Sequence, residues 1–324
     1  MKDEVLRLMK DESGFISGET IAGELNISRS AVWKQVRALR NEGFKIDAYP
    51  RLGYRLISSP DRLSPVIIRN MLSTFCIGQK IYYYNKTDST NSVASKLAAK
   101  GEGEGAVVIA EEQTSGRGRL DRKWVSPANK NILISIIFRP QIQPSKAFTI
   151  TMITSLSVVK AIKKITGINA LIKWPNDIYI DNKKVGGILT ELNAELDRVN
   201  FIIVGIGLNV NFNPSIIPEI SDIATSISRV LGRDVPRAEL LKSILEEMER
   251  DYSLLKEGKV DKIRKEWNHN SLIIGKAVKI ISFDIIEEGI AESVDADGCL
   301  ILKTCDGKRK KILSGDVSLR LNKE

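Results

Sequence analysis

Across residues 3–10 the apolar positions Val5, Leu6 and Met9 recur at the spacing of one helical face. A second helix is expected over 19–25, behind a cap at Ser17 and Gly18. A third is expected over 29–41, where Ser28 can cap the start and Val32, Val36 and Leu39 form the buried stripe. Gly43 stands where a helix-ending glycine belongs. The pattern then changes period. FKIDAYPRLGYRLI alternates on either side of a turn at 50–53, which predicts a two-stranded hairpin. Three helices and a hairpin in that order predict a winged helix-turn-helix. Its segment 18–37 would read DNA, with Ser28, Arg29, Ser30, Lys34 and Arg37 on the third helix and Arg51 and Arg55 on the wing. The same pattern also suits a three-helix protein-interaction domain with a solvated charged face.

SSPDRLSP, residues 58–65, reads as a linker. Beyond it, β-like runs at 107–110, 132–138, 178–180, 187–192 and 201–210 are interspersed with helical stretches at 91–100, 146–166 and 237–256. The second stretch is apolar on more than one side and is expected to be buried. Strands separated both by short turns and by helices predict a mixed α/β sheet. From about Ser271 the pattern becomes short strands with turns at Asp297-Gly298 and Asp306-Gly307, predicting a small β-barrel. The expected organisation is an α+β multidomain chain with domains at 1–62, 63–270 and 271–324.

Composition narrows the chemistry. The chain has 324 residues, 43% of them apolar, enough to fill two or three cores. By sequence no run reaches the ~18 apolar residues needed to span a membrane. MKDEVLRLMKDESG carries no secretory stretch, and Cys76, Cys299 and Cys305 fit no metal-ligand spacing. A reducing, cytoplasmic setting without membrane contact is expected. The net charge of +9, from 49 basic and 40 acidic residues, permits DNA, RNA or an acidic partner without requiring one. With His269 the only histidine, a histidine relay or multi-histidine metal site is nearly excluded. An enzyme built this way works by positioning and electrostatics.

Four stretches carry candidate chemistry. EEQTSGRGRLDRKWVSP (111–127) lies between two expected strands, so its arginines and glycines suit a phosphate better than a nucleic-acid groove. Trp124 either stacks on a flat ring or packs in the core. In KWPNDIYIDNKKVGGILTEL (173–192) a Pro-Asn-Asp turn leads into a strand, and Lys183 and Lys184 sit on the next turn before a double glycine. DSTNSVASKLA (88–98) enters a helix, where Ser89, Thr90 and Asn91 either cap it or bind a polar ligand. VGIGLNVN (204–211) is an apolar strand without the spacing of a dinucleotide-binding loop.

Taken together, GRGRLDRKW, KWPND, KKVGGIL and GIGLNVN, with DSTN before them and ATSI at 224–227, resemble the biotin–protein ligase family. The winged helix in front makes the chain similar to the bifunctional, operon-repressing members. The resemblance implies a class II synthetase-like ligase domain and an SH3-like C-terminal barrel. It implies biotin, ATP and Mg²⁺ as ligands, a biotin carboxyl-carrier protein and operator DNA as partners, and a ligand-promoted homodimer. Carried onto this sequence, Ser89, Thr90, Asn91, Gln113, Arg117, Gly118, Arg119 and Lys184 would hold biotin, and Lys184, Arg117 and Arg119 would be catalytic. Gly116, Arg122, Trp124, Asn176, Asp177, Asn209 and Arg320 would hold ATP or the adenylate, with Asp177 near Mg²⁺. Family loops often carry a further glycine two residues after the second arginine. Here Leu120-Asp121 fills that stretch, setting a negative charge beside the phosphate site unless Arg119 or Arg122 pairs with it. Two alternatives stand: a ligase whose winged helix is vestigial or redirected, and a biotin-sensing transcription factor without catalysis. Lipoate ligases share the central fold but have no such N-terminal domain.

Overall fold

The computed structural model describes residues 1–12, 14–41, 43–58, 60–282, 285–313 and 315–319. The chain forms two compact units, Met1–Met71 and Leu72–Glu324. In the first, α1 (Lys2–Asp11), α2 (Gly18–Glu24) and α3 (Arg29–Asn41) precede the hairpin β1 (Lys45–Tyr49) and β2 (Gly53–Ser58), and α4 (Pro65–Arg69) follows. The expected caps form: Ser17 Oγ accepts from Thr20 N at 2.9 Å and Ser28 Oγ accepts from Ala31 N at 3.2 Å. Val5, Leu6, Ile21, Val32, Val36 and Leu39 make the core. The hairpin is tied back to the helices by paired backbone bonds between Ile16 and Tyr54. Gly53 permits this approach: at φ +100° a Cβ there would lie 2.1 Å from the Ile16 carbonyl oxygen.

In the second unit, β3 (Ile81–Tyr84), α5 (Thr90–Ala99), β4 (Val107–Ala110) and β5 (Ile132–Phe138) come first. Then follow α6 (Phe148–Thr166), β6 (Leu171–Lys173), β7 (Asp177–Ile180), β8 (Lys183–Ala194) and β9 (Val199–Leu208). The short α7 (Ile227–Leu231) precedes α8 (Arg237–Lys256) and α9 (Val260–His269). The strands form one seven-stranded sheet in the order β3-β4-β5-β9-β8-β7-β6, parallel between β3 and β4 and antiparallel elsewhere.

Successive strand residues face opposite sides, so β8 shows how the helices divide. Thr190 meets Thr151 of α6, whereas Glu191 meets Asn91 of α5. α5 packs Ala94 and Ala98 against Val108, Ile137 and Ile203. α6 is the most buried helix. By length and composition it could cross a membrane, yet 72% of that apolar window is buried inside the protein, as in the core helix of a globular fold. Ser155 of α6 accepts from Trp267 Nε1 of α9 at 2.9 Å, and Lys160 bridges Asp251 of α8 and Glu266 of α9.

The remaining strands, β10 (Ala277–Ser282), β11 (Ile285–Val294), β12 (Leu300–Lys303), β13 (Arg309–Ile312) and β14 (Asp316–Leu319), form a five-stranded antiparallel sheet. Where a barrel was expected, the described residues show this sheet. It packs on the central fold through Gly298, whose carbonyl accepts from Trp174 Nε1 at 3.0 Å, beside a Lys146–Asp297 ion pair at 2.7 Å.

Candidate functional site

A cavity of about 400 Å³ opens on the α5 face of the central sheet. Its floor is the register Gly187 opposite Gly207 and Leu189 opposite Gly205. Both β9 glycines are required by what lies on them. A Cβ at Gly205 would stand 2.2 Å from Asn91 Oδ1, and one at Gly207 would stand 2.7 Å from Trp124 Cε2. Trp124 therefore lies flat on the strand while its ring also lines the cavity. Its indole N–H is buried without a hydrogen-bond partner.

Part of the cavity lining is neutral and polar. Ser89 is the N-cap residue of α5 yet makes no side-chain cap bond. Thr90 and Asn91 are buried and turn toward the sheet and Gln113 rather than capping the helix. Gln113 Oε1 accepts from Thr90 N at 2.7 Å and from Thr90 Oγ1 at 3.1 Å. Asn91 Nδ2 donates to Glu191 Oε2 at 2.9 Å and Leu189 O at 3.3 Å. The Ser89 backbone N–H, donating to Asp88, holds that carboxyl below the usual carboxylate range.

Cations line the cavity as well, and Arg117 stands 3.9 Å from Glu191, the carboxylate that holds Asn91 Nδ2. The cations are Arg117, Arg119, Arg122, Lys123, Lys173 and Lys184, with Asp177 the one acid among the described lining residues. The loop is folded on itself: Gly118 N donates to Arg122 O at 2.7 Å and Trp124 N to Gly116 O at 2.9 Å. Arg119 Nη1 donates to Asn176 Oδ1 at 3.2 Å, and Asn176 Nδ2 is held by Ile188 O at 2.6 Å. Lys184 Nζ lies 2.6 Å from Asp177 Oδ1 and 5.7 Å from the Trp124 ring. Lys183 and Lys184 begin β8; the turn before them is Asp181-Asn182, both with positive φ. Thr225 N donates to Lys184 O at 2.8 Å, so the ATSI stretch fixes the lysine's backbone. Asn209, buried, donates to Thr225 O at 3.1 Å.

The structure thus brings Ser89, Thr90, Asn91, Gln113, Arg117, Gly118, Arg119, Arg122, Trp124, Asn176, Asp177, Lys184 and Asn209 around one cavity. Gly116 is buried beneath the loop, 2.9 Å from Trp124 O at its missing Cβ, and is not among the lining residues. Arg320 lies outside the described residues. Asp121 reaches Arg117, at 3.8 Å, and is 87% exposed. Leu120 and Asp121 hold φ of 54° and 53°, a backbone that a glycine adopts without strain. Phe212, Ile220, Ile223 and Val317 also line the cavity and had no signal in the local pattern. His269 ends α9 and is not among the lining residues.

In the N-terminal unit, Arg29, Ser30, Lys34 and Arg37 are exposed on α3, and Arg51 on the wing has φ 70°. Arg55 is partly engaged, 3.3 Å from Asp47 and 4.6 Å over the Phe15 ring. Sequence reasoning missed Trp33, half-exposed on the same face with Arg37 stacked 5.5 Å from its ring.

Comparison with known proteins agrees region by region. The biotin/lipoate A/B protein ligase family matches residues 83–209, an HTH domain matches 2–55, and the biotin protein ligase C terminal domain matches 273–320. The bifunctional ligase/repressor BirA of Bacillus subtilis is 40% identical over 319 residues, 98% of each chain. BirA of Escherichia coli is 28% identical, over 94% of this chain and 93% of its own. Among solved structures, the biotin protein ligase from Aquifex aeolicus in complex with biotin and ATP is 32% identical with a TM-score of 0.65. That match covers 75% of this chain and 99% of the Aquifex one. By this near full-length likeness, the chain belongs to the biotin–protein ligase family, with the bifunctional ligase/repressors.

Proposed function

We propose that the chain condenses biotin with ATP to biotinoyl-5′-adenylate, releasing pyrophosphate, and then transfers biotin to a lysine on the carrier domain of acetyl-CoA carboxylase or a related carboxylase. With the adenylate bound, it represses the biotin operon. The observation that carries this reading is one cavity lined both by neutral polar side chains, Ser89, Thr90, Asn91 and Gln113, and by a cluster of cations that includes Lys184.

The neutral polar side chains suit the ureido ring, through Ser89, Thr90 and Gln113. Arg117, Arg119 and Lys184 then face the biotin carboxylate and the α-phosphate. Two anions must meet for the carboxylate oxygen to attack phosphorus, and these cations offset their repulsion. Arg122, Asn176, Asn209 and the unpartnered Trp124 N–H serve the nucleotide, with Arg320 as the C-terminal contribution. In the second step the carrier amine attacks the acyl carbon and AMP leaves, so no protein nucleophile is needed. No group of three or more metal-ligating side chains occurs among the described residues. A Mg²⁺ ion would be held by phosphate oxygens and water with Asp177 as the protein ligand, supplying charge neutralisation.

The same reading extends to a class II synthetase-like central fold, an SH3-like C-terminal barrel, and domains bounded at 1–62, 63–270 and 271–324. It includes a cytoplasmic protein that dimerises on binding adenylate, because a two-fold dimer matches two operator half-sites. Pyrophosphate release measured with biotin, ATP and a carrier domain tests the enzymatic part. Release that requires biotin is expected. Release driven equally by lipoate, or none with either acid, would contradict it.

A further inference from the structure

Beneath the neutral polar side chains of the cavity lies a residue that does not line it. Ser135, in the apolar run ILISIIF of β5, is fully buried. Its Oγ stands 2.6 Å from Asn91 Oδ1 and 2.8 Å from Thr90 Oγ1. Thr90 Oγ1 in turn stands 3.1 Å from Gln113 Oε1.

Proton bookkeeping gives the cluster a direction. Asn91 Oδ1 and Gln113 Oε1 carry no hydrogen and can only accept. Asn91 cannot turn over, because its Nδ2 is committed to Leu189 O and Glu191 Oε2. Its oxygen rests on Gly205, where even a Cβ would come within 2.2 Å. The hydroxyl protons of Ser135 and Thr90 therefore both point into the protein. What Thr90 Oγ1 has left for the cavity is a lone pair. Gln113 Nε2, engaged in none of these bonds, is left as a donor. An acceptor beside a donor matches a ligand edge that carries N–H beside C=O.

We infer that Ser135 is a positioning residue which, together with Gln113 Oε1, holds Thr90 as a hydrogen-bond acceptor and so selects a ring N–H in the substrate. It also makes Asn91 a relay rather than a ligand contact, since its side-chain oxygen and nitrogen are both occupied by protein groups. This inference rests on the biotin reading above.

The test uses the full-length protein and its Ser135→Ala and Ser135→Cys variants in biotin-dependent ATP–pyrophosphate exchange. Biotin is compared with the two analogues in which one or the other ureido N–H is replaced by oxygen. Losing one neutral buried hydrogen bond predicts a rise of about five- to tenfold in KM for biotin in Ser135→Ala. KM for ATP should not move, and Ser135→Cys, a weaker donor, should fall between. The decisive readout is discrimination. With Ser135 gone, the Thr90 hydroxyl keeps only the 3.1 Å acceptor at Gln113 Oε1 and turns more readily to the ring oxygen, so the preference for biotin over one of the analogues should shrink. A general structural defect would weaken ATP and biotin alike and leave that preference intact, and this outcome overturns the inference. So does an unchanged KM for biotin in both variants. Absence of exchange in the unmutated protein would instead refute the biotin reading itself.

Discussion

On the proposed reading, replacing Lys184 by alanine removes a cation that faces the reacting carboxylate and phosphate in the first step. Its Nζ stands 2.6 Å from Asp177 Oδ1, with the two side chains 32% and 24% exposed, so the pair is only partly screened by water. At an effective dielectric of about 20, a unit charge about 4 Å from a phosphate oxygen contributes about 4 kcal/mol. That is close to the ~3–4 kcal/mol typical of one preorganised donor at an anion site. The substitution has a second effect, because the Asp177 carboxylate is left facing the phosphates without its partner. Together these predict a fall of roughly 10²–10³ in the rate of adenylation. Adding Asp177→Asn to the variant removes the leftover negative charge and should restore about tenfold, a coupling expected of groups in contact. Single-turnover formation of biotinoyl-adenylate at saturating biotin and ATP reads the effect directly. A Lys184→Ala enzyme within about tenfold of the parent would refute the electrostatic assignment. So would a double variant slower than the single.

Three further outcomes are expected. Arg119→Ala frees Asn176 from its 3.2 Å contact and loosens the loop over the cavity; adenylate should then dissociate faster and label bystander lysines, measured by intermediate half-life and off-target biotinylation. Lys34→Ala and Arg37→Ala, on the exposed face of α3, should each lower the slope of log affinity against log salt for operator DNA by about one, read by titration at several salt concentrations. The third concerns acid. Lys146 first, then Lys311, hold the Asp297 carboxyl down at about 2. A depressed carboxylate stabilises the fold above its unfolded pKa, and the contribution is lost as pH falls through the folded one. The C-terminal sheet should therefore loosen between about pH 4 and pH 2, seen as a change in emission of a variant retaining only Trp174. Lys146→Ala should raise the midpoint.

Local periodicity carried the N-terminal unit well, because its helices and hairpin are defined by neighbours in sequence. α3 spans Arg29–Asn41 as its apolar stripe indicated, and Ser28 caps it. The central strands at 107–110 and 132–138 were equally legible, since continuous apolar runs bounded by turns are buried on both faces. β3 escaped notice because IYYY carries no clear alternation and gains its place only by pairing with β4. β8 is longer than its apolar portion, as Lys183 and Lys184 pair across to β7. The site divides the same way. Motif glycines, arginines and Lys184 stood out by residue type, and the cavity gathers most of them. Ser135 was hidden in an apolar run, and Val317 reaches the cavity from a strand remote in sequence; only tertiary pairing reveals either. Asn91 drew notice for its residue type and lines the cavity, and its side chain is also bonded to Ser135, Leu189 and Glu191.

The purified protein incubated with biotin and ATP, and no carrier, is the simplest setting in which one cavity must perform the first reaction and hold its product. Quenching and chromatography should recover biotinoyl-5′-adenylate bound in near one-to-one ratio with protein. Addition of a carrier domain should then move the biotinoyl group to a carrier lysine and release AMP without further ATP. Failure to find adenylate before the carrier is added, or label on the ligase in place of free adenylate, would contradict a cavity that activates biotin by positioning and charge alone.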